Sequence, residues 1–137
     1  MGRILGIDFG TKRIGLALTD PLRMIASPYD VIQRQSKAAD IAAIVRVIDE
    51  EKVDALVIGK PYHANGSAGE MVKVVEAFAA EIVAKRPLPV HFVDETYSSI
   101  EADELLRQHS KDWRKRKAKV DMVAAQIILR SYLENPT

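Results

Sequence analysis

The stretch RILGIDFGTKRIGLALTD, residues 3–20, decides how the rest of the chain is read. Its apolar run Ile4-Leu5-Gly6-Ile7 leads directly into an acid, Asp8. The chain then turns through Phe9-Gly10-Thr11, meets two bases, Lys12 and Arg13, and continues as Ile14-Gly15-Leu16-Ala17-Leu18. Two apolar runs joined by a short glycine-containing turn are a β-hairpin signal, which predicts strands over 3–8 and 14–19. In the second run Ile14, Leu16 and Leu18 alternate with Gly15, Ala17 and Thr19, so one face of that strand is large and the other small. A carboxylate at the end of a buried strand is costly unless it is paired with a cation or bound to a metal.

Downstream, MIASPYDVIQ (24–33) predicts a third strand. Pro28 suits it to an edge, because proline offers no N–H to a ladder. Ile41, Ile44, Val45 and Ile48 recur at helical spacing and predict an amphipathic helix over about 37–51. DALVIG (54–59) is a continuous apolar run, as in a strand covered on both faces. KPYHANGSAG (60–69) reads as a loop, Met71, Val74, Val75, Phe78 and Ile82 as a second helix, and LPVHFV (88–93) as a fifth strand. Ser98-Ser99-Ile100-Glu101 has the pattern of a capping box, opening a third helix to about residue 109. A final helix is marked by Val120, Val123, Ala124, Ile127 and Ile128 and ends near Leu133.

The order is therefore βββαβαβαα. Three leading strands form an antiparallel meander, and two later strands return through right-handed crossovers to lie parallel to the first. The expected architecture is α/β, a five-stranded mixed sheet with helices on both faces, as a single domain over 1–137. A chain of 137 residues can bury a substantial core. The absence of cysteine excludes disulfides, thiolate zinc sites and cysteine nucleophiles. No apolar run reaches membrane-spanning length and no signal-peptide pattern opens the sequence, so a cytoplasmic protein is expected, without a membrane partner. The net charge of +1 is unevenly spread: KDWRKRKAK, residues 111–119, sets six bases against one acid.

In sheets of this kind ligands bind beyond the carboxyl ends of the parallel strands. The first strand ends at Asp8, the last parallel one at Asp94-Glu95, and the final helix opens with KVDMVAAQIIL, which carries Asp121. Asp8, Glu95 and Asp121 are thus candidates to converge as catalytic and metal-holding residues. Alternation along the strand turns Asp94 away from Glu95 and leaves it a supporting place behind them. Clustered carboxylates raise one another's pKa, and one or two ions of Mg²⁺ or Mn²⁺ remove that penalty. Such a site suits phosphodiester hydrolysis, with a metal-activated water and a stabilised leaving oxygen. Each acid also has an ordinary explanation: Asp8 as a turn residue, Glu95 as a solvated loop acid, Asp121 as a partner for its helix N-terminus.

GIDFGTKRIGLAL, ASPYDVI, GKPYHANGSAG, DETYSS and KVDMVAAQIIL occur in the order and spacing of the YqgF (RuvX-like) family, which the chain resembles over essentially its whole length. The resemblance implies an RNase H-like fold and a divalent-metal nuclease site whose acids fall on Asp8, Glu95 and Asp121. It also implies a nucleic-acid substrate, either a pre-16S rRNA precursor in ribosome biogenesis or a Holliday junction. There are departures. Thr96 stands where the family commonly has Arg, and its Gly-Leu-Pro loop reads Gly59-Lys60-Pro61. A related resolvase family keeps two acids on its last helix, whereas Ala124 and Ala125 stand one turn beyond Asp121 here.

Lys12 and Arg13, across the turn from Asp8, are candidates to hold substrate phosphate. So are Arg114, Lys115, Arg116, Lys117 and Lys119, with Trp113 placed to stack on an unpaired base or to fold under the sheet. Asn65 and Gly66 form a tight turn able to present backbone N–H groups to a phosphate. No pair of histidines has metal-ligand spacing. Two other functions fit parts of the pattern. Asp-Phe-Gly-Thr before a hairpin also opens actin-like nucleotide-binding modules, but those need a second domain. A non-catalytic RNA-binding ribosome-assembly factor would keep the fold without the chemistry. Both a monomer and a homodimer are compatible with the sequence.

Overall fold

The alternation of large and small residues in the second strand governs how the layers stack. The computed structural model describes residues 2–60, 68–94 and 113–135, with the backbone alone for 68 and 113–118. Strands β1 (Arg3–Phe9), β2 (Arg13–Thr19) and β3 (Ala26–Gln33) come first. Helix α1 (Lys37–Glu50), β4 (Val53–Lys60), α2 (Ala68–Lys85), β5 (Val90–Asp94) and α3 (Trp113–Glu134) follow. The strands form one sheet in the order β3-β2-β1-β4-β5. β2 is antiparallel to both β1 and β3, while β4 lies parallel to β1 and β5 parallel to β4. This is the mixed sheet expected from the sequence, with β3 and its Pro28 at the edge.

The large face carries the bigger core. Leu5, Ile7 and Phe9 of β1, with Ile14, Leu16 and Leu18 of β2, pack under α1 and α2. On the other face Ile4, Ala17, Ala55 and Val57 receive Ala125, Ile128 and Leu129 of α3. Here the small residues set the spacing. A Cβ added at Gly15 would lie 1.9 Å from the carbonyl oxygen of Asp121, and one at Gly6 would lie 3.0 Å from the Leu129 Cβ. The helix backbone therefore rests directly on β2 at one point, and the rest of α3 is aligned from there.

Helix α1 is started by Ser36, whose hydroxyl accepts from the Ala39 N–H at 3.1 Å. In its first turn Asp40 is almost fully buried, yet satisfied: it accepts from the Gln35 N–H at 3.1 Å and pairs with Arg34 at 3.3 Å. Arg34 also lies over the Phe9 ring, 4.6 Å from its centroid, and donates to the Gly10 carbonyl at 3.3 Å. The β1–β2 turn is thus held from the α1 side of the sheet.

The final helix departs from expectation. As described it spans Trp113–Glu134, so 113–119 belongs to the helix and not to a segment before it. The basic run offers too few apolar residues for periodicity to signal a helix there. Arg, Lys and Ala are strong helix formers by intrinsic propensity, which lets the helix extend through the basic run. The expected helix from Ser98 to about residue 109 lies outside the described residues.

Substitution of Gly15 by Ala is expected to lower stability by about 2 kcal/mol or more, because backbone must move to admit the methyl group. Gly69→Ala is the control, in exposed helix with nothing within 4 Å of the added atom. It should be neutral or stabilising by up to about 1 kcal/mol. Urea unfolding of the two variants beside the parent checks both.

Candidate functional site

Asp8 is the next-to-last residue of β1 and shares the α3-facing side of the strand with Ile4 and Gly6. It is buried, with 8% of its surface exposed, and lies in register with Gly15 of β2. Because Gly15 has no side chain, α3 comes down on it at Asp121. One strand pair and one close contact therefore bring Asp121 alongside Asp8, at the end of β1 where the topology directs attention. Asp8 sits inside a strand, and Asp121 lies in the third described turn of α3.

Arg13 completes this corner. It opens β2 on the same side as Gly15, and its Nε donates to the Asp121 Oδ2 at 2.5 Å. Both side chains are about one-fifth exposed, 21% and 19%. Lys12, its neighbour in the turn, is exposed to solvent. Lys119 is exposed too, while Trp113, Arg114, Lys115, Arg116 and Lys117 occupy the first turns of α3. Glu95, Asn65 and Gly66 lie outside the described residues. Asp94 pairs with Lys60 in a register that also matches Leu56 to Val90 and Ile58 to Phe92, on the side that packs against α1 and α2. It stands across the sheet from Asp8, as strand alternation requires.

Two cations near this end of the sheet escaped the sequence reading. Lys60 is buried at the end of β4, with its Nζ 3.4 Å from Glu76 and 3.7 Å from the Phe92 ring centroid. Its only signal was a lysine closing an apolar run. Arg34 gave none, since its partners in the β1–β2 turn are more than twenty residues away. His91, read as no ligand, stacks on Tyr132 with ring centroids 4.7 Å apart.

No group of three His, Cys, Asp or Glu side chains able to hold a metal ion occurs among the described residues. The pair they do supply, Asp8 and Asp121, is nonetheless a fit for a hard cation. Mg²⁺ is commonly held by one or two carboxylates, completing its shell with water and substrate phosphate. Shallow clefts lined by Gly2, Arg3 and Pro21, and by Thr19, Asp20 and Tyr29, lie at the opposite end of β1 and touch neither acid. Among the described residues no helix is long and apolar enough to cross a membrane.

The family model described as RuvX: Holliday junction resolvase matches residues 2–135. The chain is 42% identical over 132 residues to a protein of Moorella thermoacetica named "Putative pre-16S rRNA nuclease", covering 96% of this chain and 94% of that one. A protein of Maridesulfovibrio salexigens with the same name is 41% identical, covering 96% and 97%. Among solved structures, Thermus thermophilus RuvC in complex with a Holliday junction substrate superimposes with a TM-score of 0.57. That match has 13% identity and covers 90% of this chain and 92% of that one. At that identity the likeness is one of fold, and the fold is the RNase H-like one that the motifs implied.

If the Arg13–Asp121 pair organises the corner, a double-mutant cycle of Arg13→Gln and Asp121→Asn should give a coupling energy of about 1–2 kcal/mol in urea unfolding. The coupling should shrink at high ionic strength, since the pair is partly exposed. A value near zero would mark it as an ordinary surface pair.

Proposed function

Because the chain belongs to the RuvX Holliday junction resolvase family, we propose that it is a divalent-metal-dependent endonuclease that hydrolyses phosphodiester bonds in structured nucleic acid. The observation that carries this reading is the seating of α3 on Gly15, which sets Asp121 beside Asp8 at the carboxyl end of β1. The preferred substrate is a pre-16S rRNA precursor, after the name its close relatives bear. Branched DNA is the second reading, favoured by the family description and by the RuvC-like fold.

Asp8 and Asp121 would hold the ion, with Glu95 as a third oxygen donor. When bound, Mg²⁺ or Mn²⁺ supplies an activated water and charge stabilisation for the departing ester oxygen. Asp8 keeps a fixed backbone position in the central strand, in register with Gly15. Asp121 is fixed through its backbone, and its side chain is steered by Arg13. Hydrolysis joins a water oxygen to phosphorus as one P–O ester bond breaks, so the residues need only position the phosphate and carry charge.

Binding is the work of the surface around them. The basic turns of α3 run from Trp113 to Lys119. At 1.5 Å per residue they reach about 12 Å along the axis from Asp121. Together with exposed Lys12 they would contact backbone phosphates, which positions a nucleic acid without reading its sequence.

Asp8→Asn is expected to leave the fold intact and reduce Mg²⁺- or Mn²⁺-dependent cleavage at least about a hundredfold. The assay is a panel of rRNA precursors, linear RNA and four-way DNA junctions. Binding without metal-dependent cleavage on every substrate would instead favour a non-catalytic RNA-binding factor. Lys12→Gln should weaken binding and lower the slope of log affinity against log salt by about one. An unchanged slope would remove Lys12 from the contact surface.

A further inference from the structure

Arg13 faced the substrate in the sequence reading, but its guanidinium is engaged with Asp121. The pair occupies the corner that the metal reading needs. Arg13 lies on the α3-facing side of β2, two positions from Gly15, and Gly15 is both the register partner of Asp8 and the seat of Asp121. The two partners are not equally fixed. Asp121 is anchored by the contact of its own backbone with β2, whereas Arg13 opens its strand, next to the exposed turn residues Thr11 and Lys12. Its long side chain can swing while the carboxylate stays in place.

A single positive charge and a double one on the same carboxylate repel strongly in a partly dry site. The guanidinium also takes up acceptor capacity at Oδ2 that a hard cation would use. Arg13 therefore stands in for a cation at Asp121, on an oxygen that a divalent ion would also use.

We propose that Arg13 is an internal counter-ion of Asp121 which a divalent cation displaces, and that the released guanidinium turns to a substrate phosphate. This rests on the reading that Asp8 and Asp121 hold the metal. The exchange makes Arg13 a positioning residue that couples metal loading to nucleic-acid binding. Planar, always charged and carrying several donors, it suits a phosphate as well as it suits a carboxylate. Coupling of this kind is reciprocal, so nucleic acid would raise metal affinity by the factor that metal raises nucleic-acid affinity.

The test is titration of Mn²⁺ alone into the full-length protein, free Mn²⁺ being followed by electron paramagnetic resonance, for the parent, Asp8→Asn and Arg13→Gln. Arg13→Met, which keeps the aliphatic stem, gives the same reading should the glutamine variant fold poorly. The expected result is parent binding that Asp8→Asn weakens, and binding at least about threefold tighter once the competing Arg13 charge is removed. A second readout is the salt dependence of binding to a labelled four-way DNA junction, in EDTA and in Ca²⁺. The change in slope on adding Ca²⁺ should be larger by about one in the parent than in Arg13→Gln. Equal or weaker Mn²⁺ binding by the Arg13 variants, with parent binding still sensitive to Asp8, overturns the exchange and leaves the metal site standing. Absence of any Asp8-sensitive Mn²⁺ binding in the parent overturns the metal site and the exchange together.

Discussion

The absence of one side chain, at Gly15, is the constraint on which the arrangement depends. Backbone of α3 rests on backbone of β2 at that point, closer than any other residue would allow. The same residue faces Asp8 across the antiparallel pair. In the proposed site, packing and chemistry therefore rest on the same residue. The contact that fixes the height of α3 above the sheet also decides how far Asp121 stands from Asp8, and the small residues along that face extend the alignment toward Leu129.

Much of this could be seen in the residues before any coordinates. The alternation Ile14-Gly15-Leu16-Ala17-Leu18 states which face of β2 is thick and which thin, because strand periodicity leaves no choice of side. The continuous apolar run of β4 and the helical spacing in α1 and α2 were equally plain, since burial writes itself into hydrophobic pattern. Asp8 was legible for the opposite reason: an acid ending a buried strand violates that pattern and so demands an explanation.

What pattern could not supply was pairing between charges far apart in the chain. The Arg13–Asp121 ion pair joins residues 108 positions apart. Arg34 reaches the β1–β2 turn from beyond β3, and Lys60 settles over Phe92. Each depends on a rotamer and a neighbour that only the assembled sheet provides. The beginning of α3 was missed on different grounds. A run of Arg and Lys carries too few apolar residues for periodicity to signal a helix, and so resembles a solvated segment.

Arg34 shows how the two sides of the sheet are tied together. Its guanidinium lies between the Phe9 ring, the buried carboxylate of Asp40 at the start of α1, and the carbonyls of the turn that carries Lys12 and Arg13. The pose of that turn is thereby settled on the side opposite Asp8. Sequence drift around the opening of α1 would then surface as altered catalysis although no changed atom meets nucleic acid.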